Sequence, residues 1–228
     1  MGTSSFPGVG LTTGAGMNDH SAMSSDYTTR LHTPVKHEAN GHSSDKREAI
    51  LSAALDLFAE RTYDGTPMPL VAQRAGVGAG TIYRYFRNKE ALVNAVYRRC
   101  MEGQRRLLID DVPVEATARE QFHHWWRGMC EFATANPQGF VFLETHHHES
   151  YRDAESQALL DQVRAGAHAL VENAQARGEV RQTTPDVLIS LVFGAFTGLV
   201  KSTIDGDCGL AEETVSQAEE CVWQMLRP

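Results

Sequence analysis

Apolar residues along this chain recur three and four positions apart, and nowhere do they alternate one by one for long. Ile50, Ala54, Leu57 and Phe58 share one such stripe, and Phe122, Trp125, Trp126, Met129 and Ala133 another. Leu159, Leu160, Val163, Ala167 and Leu170 form a third, and Val215, Ala218, Val222 and Met225 a fourth. A half-buried strand needs period two and a helix period 3.6, so the pattern predicts an all-α fold. At roughly 100–200 residues per domain, 228 residues allow one or two domains.

Local punctuation divides the pattern into helices. Asp45 with Glu48 can cap a first helix that stops near 61–65. Thr66-Pro67 reads as a cap followed by proline at the first helical position, opening a short helix over 67–75. Gly76-Val77-Gly78 is a turn. A third helix covers 80–86, and a fourth starts at the cap Asn88 and runs to about 109. Further helices are expected over 114–135, 138–147, 153–177, 185–203 and 211–226. Residues 1–44, rich in Gly, Ser, Thr and His without a period, predict a disordered tail.

Charge separates along the chain. The net charge is −8, but 45–109 carries eleven Lys/Arg against seven Asp/Glu, while 110–228 carries eight against nineteen. A small basic module on an acidic body argues against wrapping nucleic acid or a membrane surface, and permits one basic face. The four cysteines form no C-x-x-C pair, which fits a reducing compartment. The most apolar stretch, 187–200, is shorter than the roughly 20 residues of a spanning helix. No signal peptide is read at the N-terminus, so the protein is expected to be cytoplasmic, with no membrane partner.

Two short helices joined by a glycine turn make a helix-turn-helix, whose second helix enters the major groove of DNA. That second helix carries Thr81, Tyr83, Arg84 and Tyr85, while Ile82 and Phe86 supply its core face. Gly78, Ala79 and Gly80 keep its start slim, so backbone can approach DNA closely. Arg84 has the fork that reads guanine, and Thr81 can meet a thymine methyl. Lys89 and the start of the fourth helix suit phosphate.

This stretch resembles the TetR family of bacterial repressors. The resemblance runs over 50–92 and is carried by Ala54, Phe58, Thr66, Val71, Ala72, Ala75-Gly76-Val77, Gly80-Thr81-Ile82-Tyr83, Phe86, Lys89, Glu90 and Leu92. It implies a helix-turn-helix domain over 45–91 and a helical ligand-binding and dimerisation domain over 92–228. By the same resemblance, Thr66 contacts the DNA backbone, Gly80, Thr81, Tyr83, Arg84 and Tyr85 form the recognition surface, and Lys89 clamps phosphate. Three departures stand out. Thr62 replaces a frequent glycine, Gly78-Ala79 replaces a common Ser-Lys, and Tyr85 replaces a frequent histidine.

Elsewhere each feature has a plain and a functional reading. Phe122, Trp126, Met129, Cys130, Phe142, His146, Phe193 and Phe196 are core residues by default and effector-pocket residues by resemblance. The Gly194–Gly198 spacing permits close helix approach, within one chain or between two copies. The family pairs through its last helices, which adds Val215 and Val222 to the expected interface. His146-His147-His148 invites a metal reading, but consecutive helical residues point about 100° apart and rarely converge on one ion. No phosphate loop, H-E-x-x-H or Ser-His-Asp pattern occurs, and neither a cofactor nor a metal is expected.

The leading expectation is a homodimeric repressor on palindromic double-stranded DNA, released by a small, mostly hydrophobic effector. A strongly anionic effector is disfavoured, because few cations lie near the candidate residues. The alternatives are a metal-binding enzyme on a helical scaffold and a non-specific architectural DNA binder.

Overall fold

The computed structural model describes residues 41–145, 148–204, 206 and 209–228. The readings made for 1–40, His146, His147 and Cys208 lie outside the described residues. Nine α-helices and no strand occur among those described. They are α1 Gly41–Arg61, α2 Met68–Arg74, α3 Ala79–Tyr85, α4 Lys89–Arg105, α5 Ala118–Ala135, α6 Pro137–Thr145, α7 Ala154–Ala176, α8 Pro185–Ile204 and α9 Glu212–Leu226.

Several helices start where side chains satisfy their orphan N–H groups. Asn88 accepts from the Ala91 N–H at the head of α4, and Asp153 accepts from Ser156 at the head of α7. Thr117 and Glu120 form a reciprocal capping box at the head of α5. At the other extreme, α1 begins at Gly41. Asp45 therefore lies inside the helix and not at its cap, and residues 41–44, expected in the tail, are helical.

Two cores hold the helices. The first gathers Ile50, Leu57 and Phe58 of α1, Val71 of α2, Ile82 of α3 and Leu92, Val93 and Val96 of α4, all at most 1% exposed. Phe142 of α6 and Tyr151 belong to the same cluster, so the helix-turn-helix is seated on the body through apolar contact. The second core centres on Trp126 of α5 and Phe196 of α8, whose rings meet edge to face at 6.2 Å. Truncating either to alanine would cost about 3–5 kcal/mol.

Val215 and Val222 of α9 also lie in this second core, each 5% exposed. The Trp126 indole N–H donates to the Val215 carbonyl at 3.2 Å. Their expected place in a dimer interface is thus corrected: the apolar face of α9 that carries these valines packs into its own chain's second core.

Between the two cores, α4 ends in a π-helical turn, Arg106–Asp110. Arg105 grips Glu102 on one side and Asp110 on the other. A side chain at Gly128 of α5 would displace the end of the Leu107 side chain of this turn, so glycine lets that leucine pack against α5.

Candidate nucleic-acid interface and cavity

The tight geometry begins in the turns. Gly76 has φ +65°, the left-handed conformation that side chains resist. The Val77 N–H returns to the Ala72 carbonyl at 3.0 Å and fixes the turn between α2 and α3. Helix α3 then buries Ile82, completely, and Phe86 just beyond its end. Its opposite face is left outside. Tyr83 is 54% exposed. Gly78, Ala79, Gly80, Arg84 and Arg87 are exposed as well, and Thr81 and Tyr85 are half-buried. A Cβ at Gly80 would meet no atom within 4 Å, so the backbone at the start of α3 faces open space.

Thr66 departs from expectation. The residue is wholly buried, and its hydroxyl lies 3.2 Å from the Leu57 carbonyl and 2.9 Å from that of Thr62. Pro67 occupies the cap position of α2 without a side-chain cap bond. The side chain of Thr66 therefore ties α1 to the turn, and a phosphate contact through it is corrected.

Lys89 is half-buried. Its ammonium lies 4.3 Å from the Tyr63 ring centroid and donates to the Asp64 carbonyl at 3.5 Å. Burial lowers its pKa, opposed by the Asp64 charge. Two cations escaped the sequence reading: Arg47 of α1, 5.5 Å over the Phe86 ring, and Arg87. Both are exposed beside α3, and only the packing of α1 against α3 brings Arg47 there.

The second candidate region is a cavity of about 610 Å3 bounded by α5, α7, α8, α9 and the end of α4. Phe122, Met129 and Phe193 line it, as expected. Trp126, Cys130 and Phe196 instead fill the core behind it, at most 4% exposed. Phe142 lies in the first core. The aromatic residues the sequence reading missed are Trp125 and Trp223. Adjacent residues on a helix face about 100° apart, so one tryptophan of the Trp125-Trp126 pair had to turn away.

Gly194 and Gly198 are exposed, with nothing within 4 Å of where a Cβ would stand. Val187 and Leu191, 47% and 49% exposed, continue their stripe along α8. This helix is also long and apolar enough to cross a membrane by length and composition, although Leu188, Phe196 and Val200 pack into the second core. Among the described residues no three His, Cys, Asp or Glu side chains could hold a metal ion. His148 is buried, with its ring between the Phe142 carbonyl and the Tyr151 hydroxyl.

A glycine-turned helix pair with an exposed polar second helix, on a helical body with its own cavity, defines a helix-turn-helix regulator. The profile described as "Bacterial regulatory proteins, tetR family" matches 50–96, and "Tetracyclin repressor-like, C-terminal domain" matches 97–228. The chain belongs to the tetR family, whose members are DNA-binding transcription regulators. The Fatty acid metabolism regulator protein of Bacillus subtilis is 35% identical over 72 residues, 32% of this chain and 37% of that protein. RutR of Escherichia coli is 44% identical over 59 residues, 26% and 28% of the two chains. The chain thus spans well under half the length of these curated relatives.

Solved structures agree on the fold alone. A TetR family transcription regulator from Marinobacter aquaeolei VT8 has a TM-score of 0.74 at 21% identity, covering 83% of this chain and 99% of that one. FadR of Bacillus subtilis, in complex with stearoyl-CoA, has a TM-score of 0.61 at 20% identity, covering 78% and 96%.

Proposed function

We propose that this protein is a homodimeric repressor that reads a palindromic operator and is released by a small, mostly apolar effector. The observation that carries the reading is the outward face of α3. Tyr83 and Arg84 are exposed on this face beside the open backbone of Gly80. One helix of seven residues reads few base pairs, so specificity calls for two copies with half-sites about 34–36 Å apart or somewhat more. Thr81, Tyr83 and Arg84 then face bases, while Ala79, Tyr85 and Lys89 border the backbone. The division into a DNA-binding unit over 45–91 and an effector and dimer unit over 92–228 follows, as does a cytoplasmic location.

The exposed stripe of Val187, Leu191, Gly194 and Gly198 on α8 supports the second copy. Small residues there allow two helices to approach closely. The largely apolar cavity supports the effector, and the FadR complex supplies a precedent for a lipophilic one. Helix α4 starts at the phosphate clamp Lys89, and Gln104 near its end lines the cavity. An effector that prefers one setting of α4 shifts the population away from the DNA-binding form, by no more than its differential affinity.

Anisotropy titrations of labelled duplexes test this. Tyr83→Ala loses sequence-specific binding with helicity intact. Arg84→Ala costs about 1–3 kcal/mol and relaxes one operator position, whereas Lys89→Ala weakens all duplexes and lowers the salt slope. Wild-type operator affinity in both Tyr83→Ala and Arg84→Ala would refute the reading.

A further inference from the structure

We infer that the cavity takes an amphipathic ligand with one anionic head group, a carboxylate, anchored by Arg164, and an apolar tail. The inference rests on the effector reading above and names the class of molecule.

The lining divides chemically. On α7, Leu160, Val163, Arg164, Ala167, His168 and Val171 recur three and four residues apart, so they share the face turned to the cavity. Arg164 and His168 are one turn apart, and Arg164 is the permanently charged cation of the described lining. Asp186, at the start of α8, is the acid of the described lining, and it is already engaged. Its carboxylate lies 2.9 Å from His168 Nε2. Gln121, a neutral lining residue, is likewise occupied, donating to the Pro113 carbonyl at 3.1 Å.

Arg164 makes no hydrogen bond or ion pair among the described residues, and its charge reaches Tyr97 of α4 only through space. A guanidinium with five donors beside a largely apolar cavity is matched by a planar carboxylate, which it can hold through two parallel hydrogen bonds. A cationic ligand finds no uncommitted carboxylate there. Phe122, Trp125, Phe193 and Trp223 receive the tail, and about 610 Å3 falls within the roughly 300–1,000 Å3 of small-molecule sites. The expectation against anions assumed that cations lie far from the pocket, and the seating of α7 overturns that premise.

The test compares three probes that share one tail: dodecanoate, dodecanol and dodecylamine, each below its critical micelle concentration at pH 8. Binding is read by quenching of tryptophan fluorescence in wild type and in Arg164→Gln. The exposed position of Arg164 leaves folding of the variant intact, checked by circular dichroism. Dodecanoate is expected to bind the wild type most tightly. Arg164→Gln should weaken dodecanoate by about tenfold, the scale of one charge-assisted pair, and leave dodecanol unchanged. Dodecanol or dodecylamine binding as tightly as dodecanoate overturns the inference, as does an equal loss for all three probes in Arg164→Gln. Quenching by none of them overturns it too. Dodecanoate binding through Arg164 without operator release upholds the head-group assignment and removes the effector reading instead.

Discussion

The ring of Tyr63 stacks on that of Tyr151, with centroids 4.6 Å apart. Tyr63 sits in the turn after α1, and Tyr151 just before α7. Tyr63 also carries the Lys89 ammonium, 4.3 Å from its ring centroid. The Lys89 ammonium is therefore registered by a ring that itself rests on the body. The Tyr151 hydroxyl meets His148 Nδ1 at 2.7 Å, and Asn94 of α4 donates to the Tyr151 carbonyl at 2.7 Å. Arg98, one turn further along α4, pairs with Asp153 at 2.9 Å. Helix α4 is thus fastened to the start of α7 by directional bonds.

Replacing Tyr63 separates the two roles of that ring. Tyr63→Leu removes the cation–π contact and should weaken operator binding by roughly two- to fivefold, equivalent to about 0.5–1 kcal/mol. Tyr63→Phe keeps the ring and should bind as wild type. Equal affinities of Tyr63→Leu and Tyr63→Phe in anisotropy titrations would remove the ring from the account.

Thr62 has φ +69°, and a β-branched residue in that region is strained. Its N–H holds the Phe58 carbonyl at 3.0 Å and its own carbonyl lies 2.9 Å from the Thr66 hydroxyl, which keeps it there. Thr62→Gly should relieve the strain and, after the entropy glycine adds to the unfolded chain, stabilise by about 0.5–1 kcal/mol. The urea midpoint is the measurement, and a lower midpoint than wild type would contradict it.

Glu219 of α9 has a side chain 3% exposed. Arg119, His123 and Arg127 of α5 all hydrogen-bond to it. Burial pushes its pKa up, but the hydrogen bonds from Arg119 and His123 and their charges outweigh burial, and the net shift is down. A carboxylate with a lowered folded pKa stabilises fully above its unfolded value of about 4.3 and loses that contribution as pH falls through the folded value. Glu219→Gln should cost about 1–3 kcal/mol at pH 7, because Arg119, His123 and Arg127 lose a shared charged acceptor, while Arg119 keeps Glu220 and Arg127 keeps Glu212. That difference should shrink with acidification below about pH 4. A pH-independent difference in urea unfolding would contradict the ionic role.

Gly198→Leu gives opposite signs for the two readings of the glycine stripe. Inside the chain a side chain there meets nothing within 4 Å, and leucine favours helix over glycine by about 0.8–1 kcal/mol. Helicity and intrinsic stability should therefore hold. In a dimer packed through α8 the same side chain overfills the contact. Sedimentation velocity should show a shift towards monomer, and an undisturbed dimer would move the interface elsewhere.

The sequence made the helices legible wherever period and punctuation agreed. Asn88 and Gly76 stand where the residue chemistry requires. What remained hidden is orientation. Thr66-Pro67 reads as cap and first helical residue, yet Pro67 takes the extended cap geometry and Thr66 turns inward to two carbonyls. In α9, Val215 and Val222 carry an apolar period, which fits a core or a partner equally well. Arg164 looks like a solvated charge in sequence, because only tertiary packing of α7 puts it on a cavity.

Selection of bound duplexes from a random DNA pool, using the full chain, tests the central claim most directly. The account predicts enrichment of an inverted repeat, with half-sites about one helical turn apart or somewhat more. Loss of that enrichment in Tyr83→Ala belongs to the same prediction. Enrichment of a single unrepeated site, or of no sequence at all, would contradict it.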